Sequence, residues 1–303
     1  NQKEKYGIEP IKKLNNEVLK NINKIFLCVP SKDFLSIIKN ISKHNPGWIN
    51  LFIDTPIVPI VTNLKIKNYQ DHFKNIFVSE DYFFNPVNEI IKKIIDENDL
   101  GKIKKIEYIN TGYLYHSLAQ SRDLLNKHFI NSGKKKLKNF QFSLMNSEIH
   151  IIGNRTDNGY TNIYTENGLI SINKFEDNNK YKLNYLFSDK VLSGYSFNQK
   201  ELSLNDILMK DFISLKNVCK THLIDSRNLQ EQIISLVNLI RNTEIENGKK
   251  YFLKDGIYDS FVVAVTNKIK FYFDIKLNKK SLLFFIFYKL FLLRNIFNRS
   301  TTK

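Results

Sequence analysis

The stretch IFLCVPSKDFLSIIKNISKHNPGWINLFIDTP, residues 25–56, decides the fold. Ile25 to Val29 is a short apolar run closed by Pro30, and from Ser31 onward Phe34, Leu35, Ile38 and Ile41 recur at helical spacing. A second apolar run, Ile49 to Ile53, stops at Asp54-Thr55-Pro56. Apolar runs without polar alternation, separated by a helix, read as strands covered on both faces, the mark of a parallel sheet. A third run, Ile76 to Val78, leads to Asp81 and extends the sheet.

After Asn85-Pro86, the residues Val87, Ile90, Ile91, Ile94 and Ile95 mark one stripe of a helix, with Pro86 in its first turn and Gly101 just past its end. From Lys104 the pattern changes. IEYI, FQFSL (Phe140 to Leu144), EIHII, YTNIYT, GLISI and YKLNYLF alternate with period two between Asn, Asp and Gly turns, as half-buried antiparallel strands do. Two helices follow, one carrying Leu229, Ile233, Leu236, Val237 and Ile240, the other running from about Tyr258 to Lys270. The expected class is therefore α/β: a partial Rossmann domain with a parallel sheet over 1–103, then an α+β domain with a large, open, mostly antiparallel sheet over 104–278. A basic and apolar tail, 279–303, completes the chain.

A chain of 303 residues with 42% hydrophobic and 13% aromatic content can fill the cores of two domains. Lys+Arg 46 against Asp+Glu 30 gives a formal net charge of +16. Only six of those basic residues are Arg, and the lysines are spread among Asn and Ile. Nucleic-acid readers concentrate Arg and Lys on one face, so a solvated basic surface is the better reading and nucleic acid is not the expected partner. The tail from Ser281 to Phe297 is strongly apolar, but Lys289 and Arg294 interrupt it, short of the roughly 20 clean apolar residues of a spanning helix. It reads either as a membrane-surface helix or as a terminal helix packed on the protein or on a partner subunit.

The chain opens on Asn1 without the apolar segment of a signal peptide. Cys28, read as buried strand, and Cys219, read as helix, are too far apart for a disulfide framework or a metal pair, and a reducing, cytoplasmic setting is expected. The histidines show neither HxH nor HExxH spacing, so no metal site is expected. No GxSxG elbow and no Walker loop occurs.

Four local patterns, in order and at matching spacing, resemble the Gfo/Idh/MocA oxidoreductases. Cys28-Val29-Pro30-Ser31 is similar to that family's "TPN" turn, and Asp54-Thr55-Pro56 stands where the family has Glu-Lys-Pro. Phe83-Phe84-Asn85-Pro86, followed by the helix and LGKIKKIEYI, resembles its "RFxP…LGxI" junction. The stretch from Gly112 to Asp123 follows GxLxDxGxHxxD without a gap. Leu215-Lys216 and the late Asp255-Gly256 to Ser260 segment are similar in kind.

The resemblance implies NAD or NADP as cofactor, a sugar, cyclitol or sugar-derived carbonyl as substrate, and a homo-oligomer. Val29, Pro30, Ser31, Asp54, Thr55 and Pro56 would line the cofactor, while His116, Gln120 and Asp123 would occupy the catalytic positions. Two departures matter. The glycine fingerprint GxGxxG has no counterpart, so the pyrophosphate-cradling unit lies upstream of this chain or is absent. Thr55 and Gln120 also replace the family's Lys and His, and neither titrates near neutrality.

His116 stands at the family's Asp position, where an imidazole can take over proton transfer or serve as a buried structural histidine. Asp54 lines the cofactor or caps its turn. Asp123 orients a side chain at the site or simply belongs to its helix. With both proton-transfer positions substituted, a binding or assembly subunit without catalysis is the alternative to an enzyme.

Overall fold

The computed structural model describes residues 15–268 apart from 58–62, 112, 127–131, 137–138, 145, 155, 157, 175–179, 223 and 225. The tail 279–303 lies outside the described residues. Helix α1 (Asn16–Lys20) precedes β1 (Lys24–Leu27), α2 (Phe34–Ser42), β2 (Asn50–Asp54) and β3 (Asn75–Ser79). The three strands form a parallel sheet in the order β1-β2-β3, with Leu27 opposite Ile53 and Asp54 opposite Ser79. Phe34, Ile38 and Ile41 of α2 are buried, as their spacing required. Fully burying each such side chain contributes about 1.5–3 kcal/mol.

Phe26, Phe52 and Phe77 step across the sheet with ring centroids 4.4 and 5.3 Å apart, and Phe252 continues the row 5.4 Å beyond. The carboxyl-terminal segment thus closes the far edge of the sheet, where Val78 N donates to Tyr251 O at 3.0 Å. One expectation changes here: β1 ends at Leu27, and Cys28 is exposed beyond it rather than part of the strand core.

Helix α3 (Val87–Glu97) starts where Asn85 Oδ1 accepts from Val87 N at 3.1 Å. Beyond its end Gly101 adopts φ +74°, and a Cβ there would stand 2.6 Å from Glu166 Oε2. Then follow β4 (Ile103–Ile109), α4 (Leu114–Leu124), β5 (Ser132–Lys136), β6 (Asn139–Leu144), β7 (Ser147–Ile152), β8 (Tyr160–Thr165), β9 (Leu169–Ile172), β10 (Tyr181–Ser188), β11 (Val191–Phe197) and β12 (Lys200–Glu201).

These strands make a nine-stranded sheet in the order β12-β11-β10-β9-β8-β4-β7-β6-β5. Only β4–β7 and β9–β10 pair in parallel, so the sheet is mixed and mostly antiparallel. Helices α5 (Asp206–His222), α6 (Arg227–Glu244) and α7 (Leu253–Lys268) complete the described chain. Gly256 lets α7 approach β3 closely: a Cβ there would meet Val78 Cγ2 at 2.9 Å. None of the described helices is long and apolar enough to cross a membrane.

Candidate active site

Parallel strands deliver their carboxyl ends to one edge, which is where open α/β sheets bind ligands. Because Asp54 is in register with Ser79, the residues just past β3, Glu80 and Asp81, emerge beside the Asp54-Thr55-Pro56 turn. Val29, Pro30 and Ser31 follow β1 on the same edge. Helix α4 enters from the large sheet, and its first turn carries Tyr115 and His116. The positive end of a helix dipole therefore meets a group of carboxylates.

His116, 4% exposed, is the meeting point. Its Nδ1 lies 2.6 Å from Glu80 Oε1 and 3.3 Å from Asp81 Oδ1. The imidazole stacks on Tyr82 at 4.8 Å and packs against Tyr115 at 4.2 Å. Burial, opposed by His116, raises the Glu80 carboxyl to about 7. Loss of hydration and the nearby Asp81 also hold Asp54 above the usual carboxylate range, against a hydrogen bond from Thr55 N and the charge of His116. The Tyr115 hydroxyl is pushed well up, by burial first and Glu80 next, and hydrogen-bonds the Thr55 side chain. Asp54, Thr55, Tyr115 and His116 thus share one site.

Asp54 is also the cap of its turn, since its Oδ1 accepts from Thr55 N at 2.9 Å. Gln120, one turn beyond His116, donates to Asn88 Oδ1 at 2.8 Å, and Asn88 donates to Tyr82 O at 3.0 Å. Gln120 lines a narrow cleft with Tyr82, Asn85, Thr161, Asn173 and Arg227. The large sheet is therefore one wall of that cleft and the post-β3 junction the other.

Asp123 is not brought into this cluster. It is held by Lys249 Nζ at 2.6 Å and Lys92 Nζ at 3.3 Å, beside a different hollow. Its neighbour Arg122, 4% exposed, makes two 2.8 Å bonds to Asp259 and one of 3.1 Å to Asp255.

Glu80, Asp81 and His116 offer donor atoms within 4.8 Å of one another, the kind of set a metal ion could use. Two ligands of one ion at about 2.1 Å, set 90° apart, stand about 3 Å from each other. The 2.6 Å between Nδ1 and Oε1 is a hydrogen-bond separation, so the pair is read as sharing a proton. Residue types and spacing alone did not reveal Glu80. The available signal was position, an acidic pair directly after a parallel strand.

No family model matches the chain. A 123-residue stretch is 32% identical to Uncharacterized protein 335L of Invertebrate iridescent virus 6, covering 35% of this chain and 37% of that protein. The chain therefore matches little more than a third of that relative's length. Among solved structures, myo-inositol 2-dehydrogenase from Lactobacillus plantarum superposes with a TM-score of 0.55 at 13% identity, over 89% of this chain and 85% of its own. Scyllo-inositol dehydrogenase from Lactobacillus casei gives 0.56 at 12%, over 88% and 83%. A probable dehydrogenase from Thermotoga maritima gives 0.56 at 10%, over 88% and 84%. The chain shares the fold of these dehydrogenases, a parallel sheet followed by a large mixed sheet with helices.

Proposed function

We propose that the protein is an oxidoreductase that interconverts a hydroxyl and a carbonyl on a sugar, cyclitol or sugar-derived substrate, with NAD or NADP as cofactor. One observation carries the reading: in a fold shared with inositol dehydrogenases, Asp54, Glu80, Asp81, Tyr115 and His116 converge at the carboxyl ends of β2 and β3. This is where such sheets take their ligands.

The cofactor fits only in part. Val29, Pro30 and Ser31 follow β1 and Asp54-Thr55-Pro56 ends β2 at the same sheet edge, where they would line a nicotinamide end. For the pyrophosphate the chain has no GxGxxG turn, and the described parallel sheet has three strands. The chain's own residues handle the proton: His116 takes it from the substrate hydroxyl, or returns it to the carbonyl oxygen, because an imidazole both accepts and gives back a proton and this ring is held between Tyr82, Tyr115 and Glu80. Gln120, Asn85, Thr161 and Asn173 offer the donors and acceptors a polyol needs, and the tyrosines offer apolar ring faces. Asp123 anchors α4 through its lysines.

The test is turnover of NAD or NADP with a panel of inositols and aldoses, comparing the wild type with His116→Gln. Turnover on at least one substrate, lost in the variant, is expected. Full turnover in His116→Gln would remove that residue from the mechanism.

A second reading has its own support. Thr55 is engaged by Tyr115, and Gln120 by Asn88, so the two substituted positions are built into the framework. A binding subunit of this fold would take up sugar or cofactor without consuming either.

A further inference from the structure

Glu80 stands out among the buried groups that the proton transfer has not yet used. Its side chain is 1% exposed, and its Oε1 accepts from Tyr82 N at 3.3 Å as well as meeting His116 Nδ1 at 2.6 Å. All ion pairs of Glu80 and Asp81 among the described residues are with His116. A buried carboxylate without a Lys or Arg partner is costly, and one that faces an imidazole nitrogen is the arrangement that fixes a ring and its tautomer.

We propose that Glu80 is the positioning residue of His116: it holds the proton on Nδ1, so that Nε2 is the nitrogen that exchanges a proton with substrate. An ionised carboxylate only accepts hydrogen bonds, so the nitrogen facing it must carry the hydrogen. Tyr82 on one side and Tyr115 on the other keep the ring from turning away. The groups around Glu80 are His116 and Tyr115 from α4, Asp81 next in the chain, and Asp259 with Tyr251 from the α7 side. His116 is the one cation-forming member of that group, so it is the hydrogen-bond partner Glu80 requires. Asp81, farther from Nδ1 at 3.3 Å and partly exposed, has the lesser part.

The inference rests on His116 carrying the proton, and its experiment reads the ring itself, so either proposal can fail while the other stands. The full chain, labelled with ¹⁵N-histidine, is examined by long-range nitrogen–proton NMR at mildly alkaline pH, where the Glu80 carboxyl, held at about 7, is ionised. His116→Gln assigns the signals. In wild type, His116 is expected as the Nδ1–H tautomer with a slowly exchanging, far-downfield proton.

Glu80→Leu, which keeps volume and removes the acceptor, is expected to move the ring to the Nε2–H tautomer and to lower kcat at least ten-fold with little change in KM. Glu80→Gln, with an acceptor oxygen and no charge, should lie between, and Asp81→Asn should leave the tautomer in place. An Nε2–H ring in wild type overturns the proposal without any variant. A switch caused by Asp81→Asn and not by Glu80→Leu overturns it as well.

Discussion

Arg122 is the clearest place to test the packing that holds α4 against α7. Its guanidinium is 4% exposed and Asp259 is 2% exposed, and the pair shares two bonds of 2.8 Å with a third, 3.1 Å, to Asp255. Tyr251 also donates to Asp259. Replacing Arg122 by Leu leaves the Asp259 carboxyl buried with one neutral donor. Removing one partner of such a pair costs about 3–5 kcal/mol, because the remaining charge loses its compensation. For a chain of this size each kcal/mol lowers the melting temperature by about 2–4 °C, so Arg122→Leu should melt about 6–20 °C below wild type.

The double variant Arg122→Leu/Asp259→Leu removes the stranded charge and should recover at least half of that loss. Differential scanning calorimetry on the three proteins reads both. A single variant within about 2 °C of wild type, or a double variant worse than the single, would show that the pair does not bind α4 to α7 as described.

Three other outcomes follow. The folded Glu80 carboxyl sits at about 7 against an ordinary 4.5, so the native state binds more protons than the unfolded chain between those values. Stability should fall as pH rises through that window, and Glu80→Gln should flatten the fall in urea titrations; a rise in wild type refutes the burial account. Asp123→Asn should lower the melting temperature by weakening its contacts with Lys92 and Lys249 while leaving KM for any substrate within two-fold, and a large KM change would put Asp123 in the site. Stripping the protein with EDTA should leave its melting temperature unchanged, since the Glu80–His116 pair is hydrogen-bonded; a drop reversed by a divalent ion would make the cluster a metal centre.

What could be read from the sequence was whatever local pattern determines. The apolar runs Ile25 to Val29, Ile49 to Ile53 and Ile76 to Val78 became the three strands of one parallel sheet, ending at Leu27, Asp54 and Ser79, because apolar runs broken by a helix leave few alternatives. The stripe of α3 and the alternation in β4 were equally legible, whereas β8, read as alternating, buries Thr161, Asn162 and Ile163 in succession. Strand β11 was not: it is covered on both faces, so Val191, Leu192 and Tyr195 do not alternate with polar residues. Helix α5 was read only at Cys219 and not in its full extent, because Ile207, Ile213 and Val218 are exposed while Phe212, Leu215 and Cys219 are buried, which blurs its stripe.

The site was half legible. Asp54 and His116 were picked from residue type and order. Glu80 lies 36 residues from His116, and Asp259 lies 137 from Arg122, distances at which periodicity carries no information. Only the register of β2 with β3 puts Glu80 beside Asp54.

The most direct measurement uses an inositol carrying deuterium on the carbon of the reacting hydroxyl, incubated with the protein and oxidised nicotinamide cofactor, with the reduced cofactor then weighed by mass spectrometry. One deuterium per molecule of oxidised product in wild type, with none formed by His116→Gln, is the result expected of an oxidoreductase working through the cluster beside β2 and β3. Oxidised product without deuterium in the cofactor, or no product from any cyclitol or aldose offered, contradicts it.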